Sequence, residues 1–409
     1  MSDLIRRLPT PDRGAYAQAL NLLAVAEGPD GGPPGHAIIA HIDSGVAPHE
    51  GIGWPPGTPA PAWLLLSRGR NFVDGPCDQF PPPPPGIDAT AVCGMERTTS
   101  PQAGLIEYPD HGVKTLSALC GPIGAPLQGA APGVRVIPYR VSNGPLFYEA
   151  EGDIAGPAMQ SRATERLGWA IEHALAQDPQ PGVMSISMGN PGFAGIFEPI
   201  RAMLGGEMGM APNVAPAVNR AYEAGVILCC AAGQVIDGVI FPARWDRTIG
   251  VSGYDIQGTG GQCRHYPPGG YRDRDAERWV DIHAQAMRIN RAGFDMRTPP
   301  PRPNWAEDTE EDEPSGTSYA TPQVAAAAAL WRTWHAAELE RLFGAPADRW
   351  KIVEAFRWAL KDSAAEMQAD MTPARHGPRW KPIPTLDIPA LLNRAPSAAP
   401  TLEKRPPAG

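Results

Sequence analysis

Three side chains in this sequence stand where acyl-transfer chemistry would need them. Ser318 lies in Gly316-Thr317-Ser318-Tyr319-Ala320-Thr321-Pro322, just ahead of the alanine run 325–329. This reads as a helix that opens on small residues, with the hydroxyl at the end that carries unpaired N–H groups and the positive end of the dipole. Pro322 is expected in the first turn, where its missing N–H costs no helix bond. His111, in Asp110-His111-Gly112-Val113-Lys114-Thr115, opens a second short helix. Val113, Leu116, Leu119 and Cys120 mark the buried face of that helix, and Gly121 can end it. Asp43 closes the apolar run 37–42. That run reads as a buried parallel strand delivering a carboxylate to the carboxyl edge of a sheet, where open α/β folds keep their sites. Taken singly, each has a structural reading: an N-cap serine, a capping histidine, a turn aspartate. Together they supply a nucleophile, a base and a group to orient the base.

The rest of the chain supplies the elements to hold them. Strand-like apolar runs at 133–141, 181–189 and 226–234 alternate with amphipathic helical patterns at 163–177 and 213–225. Strand and helix in alternation predict a doubly wound, mostly parallel α/β sheet with helices on both faces and right-handed crossovers. Short strands at 248–253 and 279–284 and helices at 349–360 and 387–393 complete the expected core. Segments 46–109 and 287–314 read as loops, the first holding the proline run 81–85 and the second the acidic run 307–313. A solvated loop is the reading adopted for the acidic run; a hard-cation site such as calcium is the alternative.

With these motifs in place, the sequence resembles the subtilisin-like serine proteases, the subtilases. The order Asp43, His111, Ser318 is that family's chain order, distinct from the two other common triad orders. Further similar strand ends occur at Ser187-Met188-Gly189, Ala231-Ala232-Gly233-Gln234 and Phe241-Pro242-Ala243. The resemblance implies that Ser318 attacks the scissile carbonyl, that His111 moves the proton and that Asp43 orients His111. It also implies an oxyanion hole made by the Ser318 N–H and the side chain at position 234. There this chain has Gln where the family has Asn, the same amide on a stem one methylene longer. Val113 likewise replaces the family's usual Thr or Ser. By the same resemblance Ser187, Met188 and Gly189 form one wall of the substrate pocket, and Ala231, Ala232 and Gly233 the other. Met188 favours an apolar preference and Asp237 a basic one, a choice left open here.

Size and charge limit the function classes. The chain has 409 residues, a net charge of −9 and a pI near 5.5, which argues against nucleic-acid and anionic-membrane surfaces. No apolar window is long enough to span a bilayer, and the first residues lack a signal-peptide core. A cytoplasmic location is therefore expected, with the six cysteines as free thiols and no required cofactor or metal. The expected organisation is an N-terminal extension at 1–36 that could block the cleft, a catalytic domain at 37–394, and a Pro/Ala-rich disordered tail at 395–409. The layout is similar to intracellular subtilisins. The catalytic domain carries insertions near 47–109 and 287–314, and 68 residues separate Asp43 from His111 while 84 separate Gln234 from Ser318. Long loops at a cleft edge narrow access, so a selective processing endopeptidase acting on peptide or protein is expected. A non-catalytic peptide-binding protein that keeps the fold is the alternative; oligomeric state is left open.

Overall fold

The computed structural model describes residues 38–73, 110–122, 125–144, 162–189, 210–233, 238–256, 262–266, 279–287, 289–295, 302–306, 316–371, 380–397 and 400–407. The expected extension 1–36, the proline run 81–85, Gln234, Asp237 and the acidic run 307–313 lie outside them.

A parallel sheet forms the centre. Strand β1 (Ile39–Asp43) pairs in parallel with β3 (Val136–Arg140) on one side and β4 (Val183–Ile186) on the other. The sheet continues through β5 (Ile227–Ala231) to β6 (Ile249–Ile256), all parallel, and β2 (Arg70–Asn71) adds to the far side of β3. Beyond β6 the pairing turns mixed. The strands β7 (Gln262–Tyr266), β11 (Ala365–Asp370), β12 (Trp380–Thr385) and β8 (Ile282–Gln285) follow in that order, and β8 returns to pair with β6.

Side chains alternate across these strands, so each strand feeds two cores. Ile38, Ala40, Ile42, Ile137, Met184, Ile186, Leu228 and Cys230 pack with helices α2 (Arg162–Leu175) and α3 (Val214–Glu223). Ile39, Val136, Val183, Ile227, Cys229 and Val251 face the other way. They pack with α1 (His111–Leu119), α4 (Thr317–Trp334), α6 (Lys351–Asp362) and α7 (Ile388–Leu392). The short α5 (Ala336–Phe343) adds Leu339 and Phe343 to that second core. The doubly wound α/β class is therefore as expected. By the same parity Asp43, four residues after Ile39, faces α1 and α4.

Four details correct the sequence reading. Pro322 is the sixth residue of α4 and so lies past its first turn; the N–H it lacks is the one that would reach the Ser318 carbonyl. Residues 287–314 are not irregular throughout: β9 (Arg291–Asp295) and β10 (Arg302–Ala306) form an antiparallel pair. Strands β11 and β12 were not expected at all. Residues 400–407 do not behave as a disordered tail, since Lys404 N donates to the Tyr222 hydroxyl (3.0 Å) and Arg247 holds the Lys404 carbonyl (3.0 Å) and the Glu403 carboxylate (2.7 Å).

Candidate active site

The end of β1 and the start of α1 meet at very short range. A Cβ on Gly112 would lie 2.0 Å from the Gly45 carbonyl oxygen, so only glycine allows the helix to start so close to the strand. The contact is fixed by Gly112 N donating to Ser44 Oγ (2.8 Å). It brings His111 onto Asp43: the ring's Nδ1 lies 2.7 Å from Asp43 Oδ1, both residues buried. An ionised carboxylate only accepts, so Nδ1 carries the proton and Nε2 is left bare. Burial by itself would raise the Asp43 pKa, but the adjoining His111 ring with its hydrogen bond, followed by the Ser44 N–H (2.7 Å), outweighs it and lowers the pKa from 3.8.

Asp43 has a further partner that the sequence motifs did not indicate. Thr115 Oγ1 lies 3.0 Å from Asp43 Oδ2 and 3.2 Å from Nε2 of the buried His41. His41 Nε2 also faces the Gly112 carbonyl (3.0 Å), which can only accept, so that nitrogen must be the N–H. The same N–H is offered to the Thr115 oxygen and turns the hydroxyl proton away, toward the charged carboxylate, with the His111 and Gly112 carbonyls also in reach (3.1 and 3.2 Å). Burial lowers the His41 pKa, outweighing the pull of Asp43, and keeps this ring neutral near pH 7. The signal was present as strand parity, since His41 lies two residues before Asp43 on the same face of β1.

Helix α1 is also gripped from its other side. Asp110 Oδ2 accepts from Phe294 N (3.1 Å) and pairs with Lys114 Nζ (3.2 Å), and Ala292 N donates to Ser117 Oγ (3.0 Å). Strand β9 thus buttresses the helix that carries His111. Tyr319, next to Ser318, places its ring 6.1 Å from the His111 ring, with the Arg291 guanidinium 4.0 Å above its centre.

Ser318 is the second residue of α4, and its own N–H is one of the first-turn donors that a helix leaves unpaired. The alanine run 325–329 is fully buried, which lets this helix pass through the middle of the protein. Among the described residues the Ser318 hydroxyl donates to the Ser187 carbonyl (2.9 Å), not to the His111 ring. Gly233 N donates to Thr317 Oγ1 (3.1 Å). Both expected pocket walls therefore touch the start of α4. Met188 is not a pocket side chain: it is 1% exposed and packs in the α2/α3 core with Met184 and Ile186. The apolar preference expected from it loses its basis.

A model of the subtilase family matches residues 96–364. The chain belongs to the subtilase family. It is a subtilisin-like serine protease, and the matched span holds His111, Ser318 and residues 231–234. Asp43 precedes that span and joins the site by its geometry alone. Among solved structures, this subtilase is similar in fold to a protease of Pseudoalteromonas arctica, with 16% identity, 92% of this chain and 93% of that one covered, and a TM-score of 0.55. It is likewise similar to the PatG macrocyclase in complex with peptide (17% identity, 96% and 98% covered, TM-score 0.52). The subtilase cytotoxin SubAB gives 15% identity, 93% of each chain covered and a TM-score of 0.51. A comparison with curated proteins found no match. Among the described residues of this subtilase no helix is long and apolar enough to cross a membrane, and no cluster of His, Cys, Asp or Glu is placed to hold a metal.

Proposed function

We propose that this subtilase is a cytoplasmic serine endopeptidase that cleaves peptide bonds through Asp43, His111 and Ser318 and an acyl-enzyme. The observation that carries the reading is the 2.7 Å bond from His111 Nδ1 to Asp43, which leaves Nε2 to act as the base in a ring that lies 6.1 Å from the Tyr319 ring of α4. In the reaction the Ser318 hydroxyl turns from the Ser187 carbonyl to Nε2 and attacks the scissile carbonyl carbon. The hydroxyl proton passes to Nε2 as the Oγ–C bond forms, and from Nε2 to the leaving amine as the C–N bond breaks. Water then repeats the sequence on the ester. Asp43 stabilises the imidazolium formed in each half, with Thr115 holding its second oxygen. The developing oxyanion is bound by the Ser318 N–H and the Gln234 amide. The scheme uses no cofactor, and the 68 residues between Asp43 and His111 and the 84 between Gln234 and Ser318 favour a selective processing role on peptide or protein substrates.

The second reading is a non-catalytic peptide-binding groove. Two features favour it: the Ser318 hydroxyl engages Ser187 in place of His111, and Gln stands at 234. Digestion of an unfolded protein by the purified chain, beside Ser318→Ala, separates the two readings. The endopeptidase reading requires fragments that vanish in the variant. Binding of the unfolded chain without fragments in either protein supports the groove.

A further inference from the structure

The two walls expected to flank the substrate's acyl side are the ends of neighbouring parallel strands. Ser187-Met188-Gly189 continues β4, and Ala232-Gly233 continues β5. Each ends in a glycine, which would leave a slot between two bare backbones beside Ser318. That slot is not vacant. A Cβ on Gly189 would fall 2.3 Å from Ile240 Cδ1 and 2.7 Å from its Cγ1. A Cβ on Gly233 would fall 2.8 Å from Ile240 Cγ2 and 3.0 Å from the same Cδ1. One side chain therefore lies against both walls at once. Ile240 is 6% exposed, and its N–H donates to the Ala232 carbonyl (3.0 Å), so its backbone is tied to the wall it touches. A β-branched side chain is stiff at χ1 and has little freedom to swing clear.

We propose that Ile240 plugs this slot and restricts the residue on the acyl side of the scissile bond to Gly, Ala or Ser. The inference rests on the endopeptidase reading and adds the substrate class to it. A large side chain entering the slot would have to displace packed methyl groups, and overpacking of a filled site is disfavoured. The slot cannot be widened at its walls. Gly233 needs its positive φ of +90°, and Gly189 already faces the Phe241 carbonyl oxygen, 2.7 Å from where its Cβ would be. Specificity is therefore set at Ile240.

The test is a peptide series that differs only at the acyl-side residue (Gly, Ala, Ser, Leu, Phe), with kcat/KM measured for wild type, Ile240→Val and Ile240→Ala. The same sequences, ending at that residue, are titrated against Ser318→Ala and Ser318→Ala/Ile240→Ala to read binding without turnover. Wild type should prefer Ala over Phe by about 100-fold, the order of discrimination a shaped apolar pocket gives. Ile240→Ala should raise kcat/KM for Leu and Phe by roughly 10-fold or more, with Ala altered far less. Ile240→Val, which removes the Cδ1 nearest Gly189, should fall between and guards against a misfolded alanine variant. Equal or better cleavage of Phe by wild type would overturn the proposal, as would an Ala-to-Phe ratio unmoved by both variants. Where no peptide is cleaved, the binding series decides: a preference for Ala that weakens in the double variant upholds Ile240 while sinking the endopeptidase reading, and no preference sinks both.

Discussion

The proton-handling side of the site and the substrate side are built differently. Beside His111 both Asp43 oxygens accept hydrogen bonds, and α1 is held by β1 on one side and β9 on the other. The nucleophile side is bound differently. The Ser318 hydroxyl engages a pocket wall, and the walls are defined by glycine backbone and one apolar plug. Where the reaction moves a proton, preorganised dipoles give the most and cost no reorganisation at the moment of reaction. Where a substrate must enter, a hydroxyl that rotates and a slot that selects by shape suffice. In this account the first side sets the rate and the second sets the choice of bond.

Variants that break the proton-handling side should have the largest effect. Asp43→Asn keeps the shape but lets His111 adopt the wrong tautomer, and kcat should fall by about 10⁴-fold, read by active-site-normalised turnover. At the oxyanion position, which stabilises charge and does not select the substrate, Gln234→Ala should lower kcat by about 10²- to 10³-fold with KM little changed, the cost of one oxyanion donor. Retained activity in that variant would remove Gln234 from the scheme. Thr115→Val keeps the volume but leaves Asp43 Oδ2 without its hydroxyl. A charge-assisted hydrogen bond of about 1.5–3 kcal/mol corresponds to roughly a 10- to 100-fold loss in kcat/KM. An unchanged kcat/KM would make Thr115 a packing residue only.

The smallest effect concerns His41 and is read as stability. Its pKa is lowered below 6.5 by burial, so the unfolded chain binds a proton near pH 6.5 that the folded chain refuses. The stability this protects is full above pH 6.5 and is lost as pH falls through 6.5 toward the lowered value. Tm should therefore decline between pH 7 and 5, and less so in His41→Val. Equal slopes would mean that His41 does not carry this part of the pH dependence.

The two sides also differed in how far the sequence could be read. Asp43, His111 and Ser318 each lie at a strand end or helix start with local signals: an apolar run stopping at Asp, a His-Gly step, a serine before small residues. The His-Gly step proved to be a steric requirement, Gly112 against Gly45. Thr115 carries no local signal and His41 only its parity with Asp43 along β1, since their meeting depends on how α1 lies across β1. Strand β11 reads Ala-Glu-Met-Gln-Ala-Asp, without a β-branched residue, and β12 holds Pro382 and Pro384. Their pairing with each other and with β7 overrides weak propensity. Pocket occupancy was out of reach for the same reason as Thr115. Met188 was named from its place in a motif, but strand parity turns it into the core, and the slot is filled by Ile240 from a later loop.

The most direct test of the central claim is covalent labelling of the purified full-length chain by a fluorophosphonate, with the adduct mapped by mass spectrometry and Ser318→Ala beside it. The account predicts one adduct, on Ser318, absent from the variant and strongly reduced in Asp43→Asn. Peptide turnover with no adduct at Ser318, or an adduct at Ser318 that forms equally fast in Asp43→Asn, would contradict it.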